Sequence, residues 1–177
     1  NDPPLLVGSA IPDQDASEDS LYLSDDISTY FDDIDQGDSL TFSAHLAGGS
    51  PLPSWLSYNT ATYKIGGIPA NSDVATYNIV IAAFDGWGET ISDTFLLNVL
   101  NVNDAPVIVG QSDLRTLDGT PLTITLDDLL VDDVDNTYPE GFSLSLTTSY
   151  NSTLAGNTVT PDPAFLGELL VNVVVSD

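Results

Sequence analysis

The sequence predicts an all-β protein built as two tandem β-sandwiches, and three observations lead to this prediction. Short apolar stretches rich in Val, Ile, Leu, Thr, Tyr and Phe recur about every ten residues, and Gly, Pro, Asn and Asp divide them. No long helical pattern interrupts them. A three-part pattern also occurs twice: an Asn-Asp-x-Pro, then an Asp-x-Asp, then an apolar run that ends in Asp. Such a repeat indicates two similar modules of roughly 100 and 75 residues, within the usual range of domain lengths.

The strand pattern is clearest in six segments. They are 39–44, 77–82 and 95–100 in the first module, and 122–126, 142–146 and 169–175 in the second. The only helical candidate is 127–130, which predicts a single turn. His45 is expected just after a strand, as a surface residue, and Trp55 is expected to pack in the core of the first module. The predicted modules are residues 1–102 and 103–177, joined by a short, stiff linker at 101–106 because Pro106 fixes one backbone torsion.

The two modules differ at their C-terminal ends. After Asp85 the first module continues through a Gly turn into a last strand at 90–100, whereas the second stops at the equivalent residue, Asp177. The second sandwich is therefore predicted to lack its final strand, which leaves an edge that can accept another strand. Either strand exchange, as in a homodimer, or a segment from elsewhere completes it, or the edge is simply open. Because the chain begins inside the repeated motif, we interpret it as a fragment of a longer protein.

The charge of the chain excludes some partners. Two basic residues stand against 27 acidic ones, for a formal net charge of −25. Nucleic acid and anionic membrane surfaces are not expected partners, because like charges repel. No apolar run reaches the roughly 20 residues that span a bilayer, so membrane insertion is not predicted. The absence of Cys excludes disulfides and thiolate zinc sites, and makes another metal a candidate for stabilising the fold.

The repeated acidic positions predict a cation site. Carboxylates and Asn carbonyls gathered at the ends of modules are ligands that suit a hard cation, above all Ca²⁺. The alternative is that these Asp residues only cap turns. We assign six other residues to turn capping: Asp13, Asp15, Asp25, Asp26, Asp38 and Asp118.

Longer motifs give each module a family resemblance. In the first module they are 31–40 (FDDIDQGDSL), 52–58 (LPSWLSY), 66–69 (GGIP) and the run that ends at Gly86. These motifs resemble a dystroglycan-type cadherin-like domain. The second module, through 129–135 (LLVDDVD), 156–161 (GNTVTP) and 165–167 (FLG), resembles the cadherin-like repeat of large bacterial surface and adhesin proteins. The resemblance implies an Ig-like Greek-key sandwich for each module.

The resemblance also implies calcium between consecutive modules. The interdomain site would use seven residues: Glu18, Asn101, Asn103, Asp104, Asp133, Asp135 and Asp177. A weaker site at the start of the first module would use five: Asn1, Asp2, Asp33, Asp35 and Asp85. The chain departs from true cadherins at 68–73 (IPANSD), where those carry Leu-Asp-Arg-Glu, so one or two ions are expected rather than three.

The function expected from this resemblance is an extracellular, calcium-binding module pair of a bacterial adhesin-like surface protein. Its partners would be neighbouring modules of the same chain, and calcium would rigidify the joint. A second hypothesis is a carbohydrate- or peptide-binding module, appended to a polysaccharide-degrading enzyme, that uses Trp87 on a Gly-flanked hairpin tip. A third is a homophilic or strand-exchange module. The chain itself is not expected to be an enzyme, because paired carboxylates on turns in an acidic field lack the apolar cleft that raises a catalytic pKa.

Overall fold

The structure is a computed structural model, and it describes residues 1–35, 37 and 39–177. Strands make up 43% of the chain and helix 6%, which confirms the predicted all-β fold. The chain divides into two compact units, Asn1–Val102 and Asn103–Asp177, called unit 1 and unit 2.

Unit 1 is a sandwich of short strands in which β-branched and aromatic residues alternate with polar ones. Its strands are β1 (Leu5–Leu6), β2 (Gln14–Ser17), β3 (Tyr22–Leu23), β4 (Phe31–Asp32), β5 (Thr41–Leu46), β6 (Leu56–Asn59), β7 (Lys64–Gly67), β8 (Thr76–Phe84) and β9 (Thr90–Leu100). One sheet has the order β2-β9-β8-β5, a second has the order β3-β7-β6, and β1 pairs with β4.

Strand β9 lies inside the larger sheet of unit 1, antiparallel to β8 and parallel to β2. Phe95, Leu97 and Val99 point into the core and are at most 2% exposed, whereas Leu96 and Leu100 on the other face are exposed. This alternation is the period of two that a strand with one buried face requires. The strand predicted to be the last of the first module therefore has an inner position in the larger sheet and contributes side chains to the core.

The core of unit 1 lies between its two larger sheets. Ile65 of β7 and Ile79 and Ile81 of β8 are fully buried there. Trp55 packs against this cluster as expected and remains half-buried. Its ring meets that of Tyr77 edge to face, with the ring centres 6.0 Å apart. Burial of these large side chains is the main term that stabilises the unit.

Unit 2 repeats part of this plan with shorter sheets. Its strands are β10 (Val107–Gln111), β11 (Leu122–Thr123), β12 (Leu129–Asp132), β13 (Ser143–Ser149), β14 (Ser152–Ala155), β15 (Thr158–Pro161) and β16 (Val171–Ser176). β10 pairs with β12, β13 pairs with β16, and the third sheet has the order β11-β15-β14. Among the described residues of unit 2, no strand stands where β9 stands in unit 1.

Two local predictions were wrong. The helical turn expected at 127–130 is a 3-10 turn at Leu126–Asp128, and Leu129 and Leu130 already belong to β12. Buried Leu129 pairs across the sheet with Gln111, and this tertiary contact draws it into the strand. His45 lies within β5 opposite Val80, rather than after the strand, because the ladder with β8 continues through Leu46.

Candidate metal centres

The first residues of unit 1 are tied to its acidic loops by two hydrogen bonds. The backbone N–H of Asp2 donates to Oδ2 of Asp35 at 2.6 Å. The side-chain amide of Asn1 donates to Oδ2 of Asp85 at 2.8 Å. Three segments that are far apart in sequence, the Asn-Asp-x-Pro, the Asp-x-Asp and the end of β8, therefore meet at one end of the unit.

The same arrangement occurs in unit 2 with the same distances. The N–H of Asp104 donates to Oδ2 of Asp135 at 2.6 Å. The amide of Asn103 donates to Oδ2 of Asp177 at 2.8 Å. The repeated sequence pattern thus corresponds to a repeated three-dimensional arrangement of polar groups. Of the predicted residues, Asn1, Asp2, Asp35 and Asp85 meet in unit 1, and Asn103, Asp104, Asp135 and Asp177 meet in unit 2.

The first Asp of each Asp-x-Asp motif has one engaged oxygen and one without a partner. Oδ1 of Asp33 accepts the N–H of Asp35 at 2.9 Å, and Oδ1 of Asp133 accepts the N–H of Asp135 at 2.9 Å. This is the Asx turn that short acidic loops favour. Oδ2 of Asp33 and Oδ2 of Asp133 are buried and accept no hydrogen bond from the described residues. Such buried, uncompensated oxygens cost free energy unless a ligand contacts them.

Glu18 carries a third oxygen of this kind. The residue follows β2 and is 0% exposed. Its Oε1 accepts the N–H of Val102 at 2.8 Å, while Oε2 is buried and accepts no hydrogen bond from the described residues. Nearby, the amide of Asn71 lies 3.5 Å from Oδ1 of the predicted ligand Asn101. A buried carboxylate of this kind is unfavourable unless it is paired with a cation or further hydrogen bonds.

Asp85 combines two roles. Its Oδ1 accepts the N–H groups of Trp87, Gly88 and Glu89 at 2.7–2.9 Å, so it caps the turn that leads into β9. The hydrogen bond from Asn1 is the largest influence that lowers the pKa of the Asp85 carboxyl; burial opposes it, and the three N–H groups lower the pKa further. Asp85 is therefore held as a carboxylate. Beside it, Trp87 is 75% exposed, as expected for a hairpin tip.

The structure adds residues that the sequence analysis missed. Asn136 donates to Oδ2 of Asp177 at 2.8 Å and to Oδ1 of Asn103 at 3.0 Å, so it belongs to the unit 2 cluster. The sequence signal that could have indicated Asn136 is its position directly after the Asp-x-Asp motif. Of the residues assigned to turn capping, Asp26 caps the 3-10 turn at Ile27–Tyr30. Asp13 does not cap a turn, because its Oδ1 accepts the N–H of Leu96 in β9 at 2.8 Å. Asp38 lies outside the described residues.

The donor types fit calcium better than other metals. The clusters offer carboxylate and amide oxygens, and the chain has no Cys and one His, so ligands that favour zinc are missing. Within the described part of the chain, no three His, Cys, Asp or Glu side chains already form a closed metal cage. The fit therefore depends on the orphaned oxygens of Asp33, Asp133 and Glu18, and on Asn oxygens. Glu18 and Asn101 belong to unit 1 and the other five predicted ligands to unit 2, so the interdomain grouping stays a prediction.

Comparison with known proteins identifies the family. The He_PIG family, described as "Putative Ig domain", matches residues 3–100, which is more than half of the chain. The chain belongs to the He_PIG family of Ig domains. The expected Ig-like or cadherin-like character is confirmed at this level. No curated protein matches the chain.

Among solved structures, cadherin ectodomains are similar to this He_PIG chain. Human protocadherin-24 EC1-2 is similar with a TM-score of 0.55 and 14% identity, over 98% of this chain and 86% of that one. Human CDH23 EC21-23 is similar with a TM-score of 0.53 and 14% identity, over 99% of this chain and 63% of that one. At this identity the likeness establishes the fold alone.

An endo-fucoidan hydrolase of glycoside hydrolase family 107 has a TM-score of 0.47 and 18% identity, over 98% of this chain and 26% of the hydrolase. That likeness is too weak to carry an argument about the He_PIG chain. Ig and cadherin-like domains are typically non-catalytic and extracellular. In the described residues, helices are too short or too polar to cross a membrane.

Proposed function

We propose that this chain is an extracellular, calcium-binding pair of cadherin-like modules from a bacterial adhesin-like surface protein. Unit 1 would be of the dystroglycan type and unit 2 of the shorter surface-repeat type. The observation that carries the proposal is the pair of orphaned oxygens on Asp33 and Asp133. Each is buried at the same place in the repeated arrangement, and each lacks a hydrogen-bond donor among the described residues.

In each unit the chain supplies a pre-organised set of oxygens. The Asx turn engages Oδ1 of the first Asp and leaves its Oδ2 without a donor from the described residues. The Asn residue holds the carboxylate at the end of the last apolar run in place. Pre-organisation of this kind lowers the entropic cost of ligand binding. Bound calcium would supply positive charge and coordination to these oxygens, as it does in loops rich in Asp and Asn.

Glu18 is the residue that we propose to link calcium to the module joint. Its Oε1 is bonded to Val102, at the end of unit 1, so its carboxylate is held next to the linker. We propose that Oε2 of Glu18 joins Asn101 and the unit 2 cluster in one site. Neutralising these carboxylates would remove their mutual repulsion and stiffen the linker.

Thermal unfolding tests the proposal directly. We expect millimolar calcium to raise the melting temperature relative to excess chelator, and magnesium to have a smaller effect. A ligand at 100 times its dissociation constant adds about 2.7 kcal/mol when only the folded state binds it. Asp133→Asn should reduce the calcium shift. Asp127→Asn is the matched control, because it removes the same charge from an exposed position in the same unit. No calcium shift in the parent chain would assign the acidic clusters to turn capping.

Stiffening of the joint needs its own measurement. Spin labels on the two units would give a distance distribution that narrows in calcium and broadens in chelator. If calcium raises the melting temperature but leaves the distance distribution unchanged, the chain binds calcium and the proposed stiffening of the joint is rejected.

A second candidate function uses Trp87. Its side chain is 75% exposed on a turn held by Asp85, and a rigid exposed indole can stack on a sugar ring or a peptide. Binding of polysaccharides or peptides in an array should then be lost in Trp87→Ala. Equal binding by this variant and the parent chain would reject the function. The variant should fold normally, because exposed substitutions usually change stability by about 0.5 kcal/mol or less.

A further inference from the structure

The outer face of the larger sheet of unit 1 is open to solvent. In β8, Ile79, Ile81 and Ala83 are 0% exposed and face the core, so the even-numbered residues that alternate with them point outward. In β9 the buried residues are odd-numbered as well, and the even-numbered residues point to the same outer side. We define the outer face as the even-numbered residues of β8 and β9, together with the odd-numbered residues of β5 that pair with β8.

The outer face carries no carboxylate. Every residue of this face is described, and none is Asp or Glu, although the chain has 27 acidic residues. Its only ionisable side chain is His45, and Ser, Thr and Asn supply more than half of its residues. Carboxylates begin at its border on the β2 side, where Asp13 accepts the N–H of Leu96 and Asp15 pairs with Asn98. A ligand on the outer face therefore meets hydroxyl and amide groups without lying against an acidic side chain.

Hydroxyl and apolar side chains form rows across the strands of this face. Two adjacent rows each have an apolar residue of β8 between two hydroxyl residues: Thr41-Phe84-Thr90 and Ser43-Ala82-Ser92. The next row again has an apolar residue, Val80, in the middle. Within the described part of the chain, the four hydroxyls of the first two rows make no hydrogen bond. The outer face thus has an apolar strip with available hydroxyl groups along both sides.

Two aromatic side chains end the apolar strip. Phe84, the last residue of β8, is 37% exposed, and Trp87 in the turn that follows is 75% exposed. The turn is held by Asp85, whose Oδ1 accepts three backbone N–H groups. A sugar ring has an apolar face of C–H groups and hydroxyl groups at its rim. It can therefore stack on exposed aromatic rings while it hydrogen-bonds to hydroxyl groups beside them.

We propose, on the basis of the second function proposed for Trp87, that the outer face and Trp87 together bind one chain of a neutral polysaccharide. The sugar chain lies along β8 and β9 and has Trp87 at one end. From Phe84 to Thr76 the face is roughly 25 Å long, at about 3.3 Å per residue, so several sugar units contact it. The polysaccharide is neutral, because the net charge of −25 would repel an anionic chain.

A peptide or a second copy of the chain fits this face less well. Extended peptides add to a sheet through the free backbone groups of an edge strand, whereas β8 and β9 are inner strands with partners on both sides. A second copy would bring another net charge of −25 to a contact made largely of polar side chains. A neutral sugar chain needs neither backbone pairing nor a large apolar area.

Dependence on the length of the sugar chain tests the extended site. The probes are neutral hexasaccharides of glucose, mannose, galactose and xylose, the disaccharides of the same sugars, and a hexauronate, each titrated into the full chain. Tryptophan emission follows binding, because Trp87 is exposed and leaves water when a sugar stacks on it. We expect a neutral hexasaccharide to bind at least tenfold more tightly than its disaccharide, about 1.4 kcal/mol, and the hexauronate not to bind.

The outcomes separate the extended site from the role of Trp87. Equal binding of a disaccharide and its hexasaccharide would confine binding to Trp87, so the function proposed for Trp87 would stand and the extended site would be rejected. Tighter binding of the hexauronate than of every neutral hexasaccharide would reject the neutral ligand. If no neutral sugar binds, both the extended site and sugar binding by Trp87 are rejected.

A matched pair of substitutions locates the binding surface. Ser92→Asp places a carboxylate in the outer face and should weaken hexasaccharide binding at least tenfold. Ser57→Asp adds the same charge at an exposed position of β6, in the other sheet, and should change binding by less than about twofold. A cooperative thermal melt of each variant verifies that it folds. Binding by Ser92→Asp equal to that of the parent chain would overturn the proposal, as would a dimer in sedimentation that Ser92→Asp abolishes and Ser57→Asp does not.

Discussion

The side-chain amide of Asn103 donates to the carboxylate of Asp177 at 2.8 Å across 74 residues of sequence. Asn1 and Asp85 form the same bond at the same distance in unit 1. These two bonds connect the first residue of each repeated motif with the last. They hold a strand end next to the acidic loop that carries the orphaned oxygen of Asp33 in unit 1 and of Asp133 in unit 2.

Glu18→Gln should separate the metal role of Glu18 from its structural role. Gln keeps an oxygen that can accept the N–H of Val102, so stability in chelator should stay within about 1 kcal/mol of the parent. The calcium-dependent rise in melting temperature should shrink, because a carboxylate ligand is lost. Asp19→Asn is the control, since it removes one charge from an adjacent exposed residue whose positive φ Asn tolerates. An undiminished calcium shift in Glu18→Gln would remove Glu18 from the site.

Gly67→Ala should severely destabilise unit 1. A Cβ atom on Gly67 would lie 1.7 Å from the backbone oxygen of Trp55, which cannot move without distorting β6 and β7. Overpacking against backbone should cost about 3 kcal/mol or more. Gly86→Ala is the control, because a Cβ atom there meets no other atom within 4 Å. Urea unfolding followed by Trp fluorescence reports unit 1 selectively, since both tryptophans, Trp55 and Trp87, lie in it. Similar midpoints for the two variants would contradict the packing.

Ile81→Ala and Val173→Ala should differ in cost because of strand β9. Ile81 is fully buried, so its truncation should cost about 2–5 kcal/mol. Val173 lies four residues before Asp177, as Ile81 lies four residues before Asp85, but it is half-buried, and its truncation should cost on the order of 1 kcal/mol. Urea unfolding followed by circular dichroism measures both costs, and equal losses of unfolding free energy in the two variants would contradict this difference in burial.

Alkaline pH should destabilise unit 1 through Tyr22. Burial, and to a smaller extent the negative charge of Asp25, raises the pKa of Tyr22 from 10.0 to about 12. The folded state therefore favours the neutral phenol, and its stabilising effect is complete below pH 10 and is lost as the pH rises towards 12. The loss should approach about 1.4 kcal/mol per pH unit in that window.

The control for this pH dependence is Tyr22→Phe. It removes the hydroxyl that donates to Gln14 at 2.8 Å, so it should lower stability by about 1 kcal/mol at neutral pH but flatten the slope above pH 10. Tyr150→Phe, at an exposed position of unit 2, should leave the unit 1 slope unchanged. Unfolding in urea across this pH range, followed by Trp fluorescence, measures both. An unchanged slope in Tyr22→Phe would assign the alkaline loss to other groups.

Sequence by itself determined the all-β class, the Ig-like character and the acidic motifs, because each depends on local signals. Alternating apolar residues such as Phe95, Leu97 and Val99 predict a strand with one buried face, and Asp33-Ile34-Asp35 predicts an Asx turn.

Only the tertiary structure decided what these residues contact. Leu129 joined a strand rather than a helical turn because its partner Gln111 lies 18 positions earlier in the chain. Asn136 belongs to the acidic cluster through its hydrogen bond to Asp177, and Asp13 accepts a hydrogen bond from β9 rather than capping a turn. Both contacts join residues that are far apart in the sequence, so no local pattern predicts them. In unit 2, residues 113–118 line one groove together with Val171 and Val173 of β16, although the two segments are far apart in the sequence. Local propensity acts over a few residues, whereas burial and hydrogen-bond satisfaction depend on the whole fold.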